Sequence, residues 1–164
     1  MFTQLINLIE YVGNNNQLVR SWLYIRQKLL KTYYNVIGIK TKKTIFSVLN
    51  EKALDTFCYL LLDYLSIGHF SIYERIIKNY QLHSVTQMYN FLQKNTACLM
   101  QLYDKFLHQP IDYKSYMTFN HALSKVGEIL ESRFVIEDLL IQFFWNKKSK
   151  QTVIINKSKI AHLA

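Results

Sequence analysis

Glycine and proline are scarce in this chain: four glycines and one proline in 164 residues. So little turn chemistry leaves no material for the many tight connections of a β-sandwich, and long helices become the expected architecture. No apolar run approaches the roughly 20 residues of a membrane span. The start, MFTQLINLIEYVGNNN, has no basic segment ahead of an apolar one, so it does not read as a secretory signal. The two cysteines, Cys58 and Cys98, lack a ligand or disulfide spacing, and both fall inside apolar helical patterns where a thiol serves as a small core residue. A cytoplasmic chain is expected. What is present is a globular composition, half apolar and 15% aromatic, sized for one domain.

The formal charge of +9 is unevenly placed. Residues 146–164 carry Lys147, Lys148, Lys150, Lys157 and Lys159 without an acid, and Lys40, Lys42 and Lys43 cluster in a short basic stretch. Removing both leaves about +1 for the helical body. The expected organisation is a helical domain over residues 1–145 followed by a lysine-rich, flexible tail over 146–164. Such a tail can hold phosphate backbones without sequence preference. Its simpler reading is a solvated end.

Hydrophobic periodicity lays out the helices. Residues 2–12 form a short one, with Phe2, Leu5, Leu8, Ile9 and Val12 on one side. A second runs from about 17 to 37 on Leu18, Trp22, Ile25, Leu29, Tyr33 and Val36, and stops at Gly38. Residues 39–49 read as a basic loop. Asn50 is the expected N-cap of a third helix, which reaches Ile67, breaks at Gly68 and resumes to about Asn79. A further helix covers about 86–108, ahead of Pro110. Asp112 caps a last helix of about 30 residues, roughly 45 Å long, ending near Trp145. The tail shows weak strand character at TVII. The fold class is all-α: a bundle with a four-helix core of long antiparallel helices plus short extra helices.

One helix carries a face that core packing does not explain. On a wheel centred on Leu54, the residues Phe57, Cys58, Leu61 and Leu65 lie within about 60° and define the core side. Asp63 falls nearly opposite, among Thr56, Tyr59, Leu60 and Ile67, with Ser66 nearer the flank. A single carboxylate in an apolar and aromatic rim fits two readings. Either the helix is buried on both sides, with Asp63 paired to a buried arginine or hydroxyl, or the face docks a helix of another protein through an apolar centre and one committed charge.

The stretch that contains this face, NEKALDTFCYLLLDYLSIGHFSIYER (residues 50–75), closely resembles the Rsd/AlgQ family of bacterial regulators. Two further blocks are similar to family elements: SWLYIRQKLLKTYYNVIGIK (21–40) and VGEILESRFVIEDLLI (126–141). The three blocks keep the family's order. Departures are Thr41 in place of the family's proline after Gly38-Ile39-Lys40, and Ile67 in place of a small residue before Gly68. The resemblance implies a helical, cytoplasmic, non-enzymatic anti-sigma factor. It would bind the primary sigma factor of RNA polymerase, chiefly its region 4, and limit access to core enzyme and to the −35 promoter element. Asp63 matches the family's sigma-binding aspartate, and the expected docking surface is Asp63, Ser66, Ile67, His69 and Phe70.

Catalytic and metal chemistry find no pattern here. No phosphate-binding loop, dinucleotide fingerprint or zinc motif occurs, and the Glu-x-x-His pairs of a di-iron bundle are missing. Neither a cofactor nor a metal is expected. Glu128, Glu131 and Asp138 read as a solvated acidic ridge, and His69 as a packed histidine at the Gly68 corner. Arg133 and Glu137 stand at i, i+4. They form either a local ion pair or, with Arg26 and Glu74, a polar network inside the bundle that orients Asp63 and His69. Tyr64 and Tyr73 read as core residues with a polar tip. A different class of function, a helical nucleic-acid-associated protein, would use the lysine tail and the 40–43 stretch.

Overall fold

The structure, a computed structural model, describes residues 2–12, 16–38, 48–79, 83–108 and 116–161. Among the described residues six α-helices follow one another: α1 (Phe2–Val12), α2 (Gln17–Gly38), α3 (Val48–Ile67), α4 (Glu74–Asn79), α5 (His83–Leu102) and α6 (Tyr116–Ala161). Two π-helical segments are spliced in, Gly68–Tyr73 between α3 and α4 and Tyr103–Leu107 after α5. No strand occurs among the described residues. The four long helices α2, α3, α5 and α6 make the core, and α1 and α4 are the short additions. Helix α2 packs on α3 and α1, and α5 packs on α6.

The α3 stripe is buried as expected, whereas in α2 the buried face is turned toward Val19, Leu23, Arg26 and Leu30 and leaves Leu18, Ile25 and Tyr33 half-buried, as is Ile9 of α1. Leu5, Leu8 and Val12 of α1, Trp22 and Leu29 of α2, and Leu54, Phe57, Leu61 and Leu65 of α3 are all in the core. The start of α2 is fixed by Asn16, whose Oδ1 accepts the Val19 amide at 3.3 Å, satisfying one of the free donors of the first turn.

Three boundaries differ from expectation. Helix α3 already begins at Val48, so Asn50 lies inside it rather than at its cap. Gly68 does not break the chain: Ile67 and Glu74 on either side keep right-handed helical angles, and the helix widens to a π turn between them. A glycine lowers helix propensity by only about 1 kcal/mol, and here packing holds it. A Cβ at Gly68 would lie 2.9 Å from the Tyr73 hydroxyl and 3.1 Å from Trp22. After α5 the backbone widens again, and the His108 amide closes on the Tyr103 carbonyl at 2.9 Å, an i→i+5 bond that ends the helix where expected. Helix α6 continues to Ala161, past the expected end at Trp145 and through the TVII stretch. Asp112, Pro110 and the 39–47 stretch lie outside the described residues.

Gly68 yields a first prediction. Tyr73 cannot retreat, because its hydroxyl is tied into a buried network described below. Gly68→Ala should therefore cost about 1–3 kcal/mol through overpacking, read as a lowered midpoint in urea denaturation at unchanged slope.

Candidate functional site

A charged cluster occupies the centre of the bundle. Glu137 of α6 is fully buried and accepts from four donors: the hydroxyls of Tyr64 and Tyr73, and the guanidinium groups of Arg26, at 2.9 Å, and Arg133, at 2.7 Å. Arg26 also donates to the Tyr64 hydroxyl at 2.9 Å and to Asp138. Arg133 donates to Tyr73 at 2.9 Å, Thr96 at 2.9 Å and Asn95 at 3.1 Å. Asn95 in turn donates to the Ile129 carbonyl at 2.9 Å. Two guanidiniums face two carboxylates, so the cluster is neutral and every charge has a partner, the condition for keeping ions in a low-dielectric interior.

Aromatic rings wall the cluster. Trp22 stacks on Tyr64 with ring centres 5.0 Å apart and 5° between planes, and its indole nitrogen donates to the Tyr64 carbonyl at 3.2 Å. The Arg26 guanidinium lies 4.8 Å from the centre of the Phe134 ring, a cation–π geometry. Burial works against the charge on Arg26, but Tyr64, Glu137 and Asp138 outweigh it and hold the guanidinium above its ordinary value. Burial likewise lifts Asp138, with Arg26 opposing.

Burial, reinforced by Glu137, pushes the hydroxyls of Tyr64 and Tyr73 well above the usual tyrosine range. The linkage has a definite sign. The folded state holds these protons where the unfolded state releases them, so the stabilisation is complete below the ordinary tyrosine pKa of about 10 and drains away as pH rises beyond it. In an alkaline titration followed by ultraviolet absorbance and circular dichroism, Tyr64 and Tyr73 should ionise only together with loss of helicity.

Of the residues expected in a polar network, Arg26, Arg133 and Glu137 are brought together and Glu74 is not. Glu74 pairs with Lys78 at 3.4 Å at the surface of α4, because the π turn and the start of α4 rotate it away from the cluster. Asp138 leaves the expected acidic ridge to meet Arg26, whereas Glu128 stays exposed and pairs with Lys125 at 2.8 Å. Cys58 is buried and its thiol is pushed up to about 12, by burial and then by Asp55. Cys98 is exposed, against expectation: on α5 the inward stripe is Val85, Leu92, Asn95 and Leu99, which leaves position 98 outside. That stripe also shows how Asn95 could have been found, as an amide at a core position. Thr96 and the Leu92 carbonyl carry no comparable signal.

Asp63 stands on the other side of α3 from this cluster. It is half-buried, and among the described residues it has no ion pair and no hydrogen bond. Its surroundings are open: Tyr59 and Phe70 are 70% and 68% exposed, Ser66 is exposed, and Ile67 and Leu60 are half-buried. His69 is half-buried, with its ring edge-on to Phe70 at 4.8 Å and stacked on Tyr89 of α5 at 5.8 Å. The five residues of the expected docking surface thus follow one another along the end of α3 and the π turn. Tyr89, which extends the patch onto α5, had no signal in the sequence.

Residues 1–144 match the family described as Regulator of RNA polymerase sigma(70) subunit, Rsd/AlgQ. The chain belongs to the Rsd/AlgQ family. Among its relatives, the Regulator of sigma D of Salmonella arizonae is 49% identical over 150 residues, covering 89% of this chain and 93% of that protein. The Regulator of sigma D of Escherichia coli O139:H28 is 50% identical over 145 residues, covering 86% and 92%. All three resembling blocks fall within the family match, and Rsd/AlgQ membership makes this chain a regulator of the sigma(70) subunit. Two structural facts accompany that assignment. Among the described residues no group of three or more His, Cys, Asp or Glu side chains is placed to hold a metal ion, and no helix is long and apolar enough to cross a membrane.

Proposed function

We propose that this chain is a cytoplasmic, non-enzymatic anti-sigma factor that docks region 4 of the primary sigma factor on the face formed by Asp63, Ser66, Ile67, His69 and Phe70. Docking there withholds region 4 from core enzyme and from the −35 element by stoichiometric sequestration. The observation that carries this reading is the combination at Asp63: a carboxylate with no internal partner among the described residues, flanked by two aromatic side chains that are about two-thirds exposed. A protein rarely leaves large aromatics outside around a free charge, whereas interface centres are rich in such rings.

The buried cluster supports the face from behind. Tyr64 follows Asp63 directly, and its hydroxyl, ring and carbonyl are all held, by Glu137, Arg26 and Trp22. Those contacts fix the rotation of α3 about its axis, and with it the direction in which Asp63 points. Residues Arg26, Arg133 and Glu137 are therefore positioning residues for the docking face. The direct test is co-purification of the chain with isolated sigma region 4 in low salt. Stoichiometric retention is expected, and no retention at micromolar concentration would sink the proposal.

A further inference from the structure

The π turn that carries Phe70 is fixed at both ends and leans on α5 in its middle. At its start, Gly68 leaves no room for a Cβ beside Trp22 and the Tyr73 hydroxyl. At its end, the Tyr73 hydroxyl donates to Glu137 and accepts from Arg133 at 2.9 Å. Between these ends the half-buried His69 ring stacks on Tyr89, with centres 5.8 Å apart and 17° between planes. The Phe70 ring stands edge-on to His69, at 4.8 Å and 88°. Stacked and edge-on pairs at such separations are the arrangements that aromatic rings prefer. The three rings form a ladder that runs from α5 out to Phe70.

The inner rung is held by its own helix. Val85 and Leu92, at i−4 and i+3 from Tyr89, are buried, and Tyr89 itself packs half-buried against the core. Further along α5, Asn95 ties the helix to α6 through the Ile129 carbonyl at 2.9 Å. The rotation of α5 is thus set inside the bundle, and with it the place of the Tyr89 ring. The outer rung is different. Phe70 is 68% exposed, which leaves little packing to restrict its rotamers. An exposed ring loses rotamer freedom when a partner orders it, and a ring already ordered loses less. π turns inserted in helices are frequent at functional sites, and this one carries His69 to α5 while leaving the next residue outside.

The geometry points to Tyr89 as a positioning residue for the docking face: it holds the His69 ring by stacking, and His69 in turn sets the Phe70 ring for sigma region 4. Tyr89 acts through His69, without touching the partner itself. The inference rests on the docking reading above and adds to it a residue on a second helix.

The test uses the full chain and purified region 4. Tyr89→Leu, which keeps apolar bulk and removes the ring, should weaken binding at least fivefold with unchanged circular dichroism. Tyr89→Phe, which keeps the ring, should bind within twofold of wild type. In a chain that already carries His69→Ala, adding Tyr89→Leu should cost less than a further twofold, because the group it acts through is gone. In proton NMR of the free chain, the ring C–H resonances of His69 should be shifted upfield by the Tyr89 ring and should lose that shift in Tyr89→Leu. Unshifted His69 resonances in the wild type would overturn the inference whatever the variants do, since the stack would then be absent in solution. A loss smaller than fivefold in Tyr89→Leu would overturn it, as would a full fivefold loss in the His69→Ala chain or a loss in Tyr89→Phe, each of which would make Tyr89 a direct contact or none. A wild-type chain that fails to bind region 4 sinks the docking reading and this inference with it, whereas wild-type binding untouched by Tyr89→Leu sinks this inference alone.

Discussion

Glu137→Leu is expected to remove about 3–5 kcal/mol of stability, the cost of leaving a buried charge without its partner. Glu137 is the only carboxylate that reaches Arg133 among the described residues, and Arg133 has no exposure through which water could take over. Its remaining acceptors, the Tyr73 hydroxyl, Asn95, Thr96 and the Leu92 carbonyl, are neutral. Two tyrosine hydroxyls lose their acceptor in the same stroke. A domain of this size has about 5–15 kcal/mol in total, so a large part of the molecule's stability should go. The double variant Arg133→Met/Glu137→Leu should lose less than the sum of the two single changes, because removing both charges together leaves no orphan. Full additivity in urea denaturation would mean that the two groups do not act as a pair. Tyr64→Phe and Tyr73→Phe, which each delete one hydroxyl, should cost only about 1–3 kcal/mol.

Asp63→Lys should behave in the opposite way: little change in stability, large change in binding. Among the described residues Asp63 has no internal partner to lose, and it is only half-buried, with room for a lysine to extend into solvent. Surface substitutions away from such partners stay within about 0.5 kcal/mol. At the centre of an interface, truncating a committed charge costs about 2–5 kcal/mol, and reversing it adds repulsion. A loss of at least about 30-fold in affinity for region 4 is therefore expected, given 1.4 kcal/mol per tenfold. Phe70→Ala and Tyr59→Ala should each weaken binding in the same assay without altering helicity.

Much of the fold could be read from the chain because the apolar stripes of α1, α2 and α3 repeat at helical spacing, and the core takes most of them, although in α2 it also takes Val19, Leu23 and Leu30 beside the expected stripe. The wheel also placed Asp63 opposite Leu54, and the structure keeps it there. Where reading failed, the deciding contact was long-range. Gly68 looked like a break because propensity is local, whereas Trp22 of α2 presses on it from outside α3, along with Tyr73 at the far end of the same π segment. Asp138 looked like one acid on a ridge because nothing in its own helix reveals Arg26, 112 residues earlier. Glu74 looked like a network member until the π turn placed it at the surface. The i, i+4 spacing of Arg133 and Glu137 was visible, but burial, which decides what such a pair is worth, was not.

The measurement that bears most directly on the central claim is a titration of purified sigma region 4 with the wild-type chain and with Asp63→Lys, each checked by circular dichroism and urea denaturation. The account predicts stoichiometric binding by the wild type, and a variant that folds with the same stability and binds at least about 30-fold more weakly. A variant that binds as well as the wild type would contradict it. So would a variant that loses its fold along with its binding, since Asp63 would then belong to the interior rather than to the docking face.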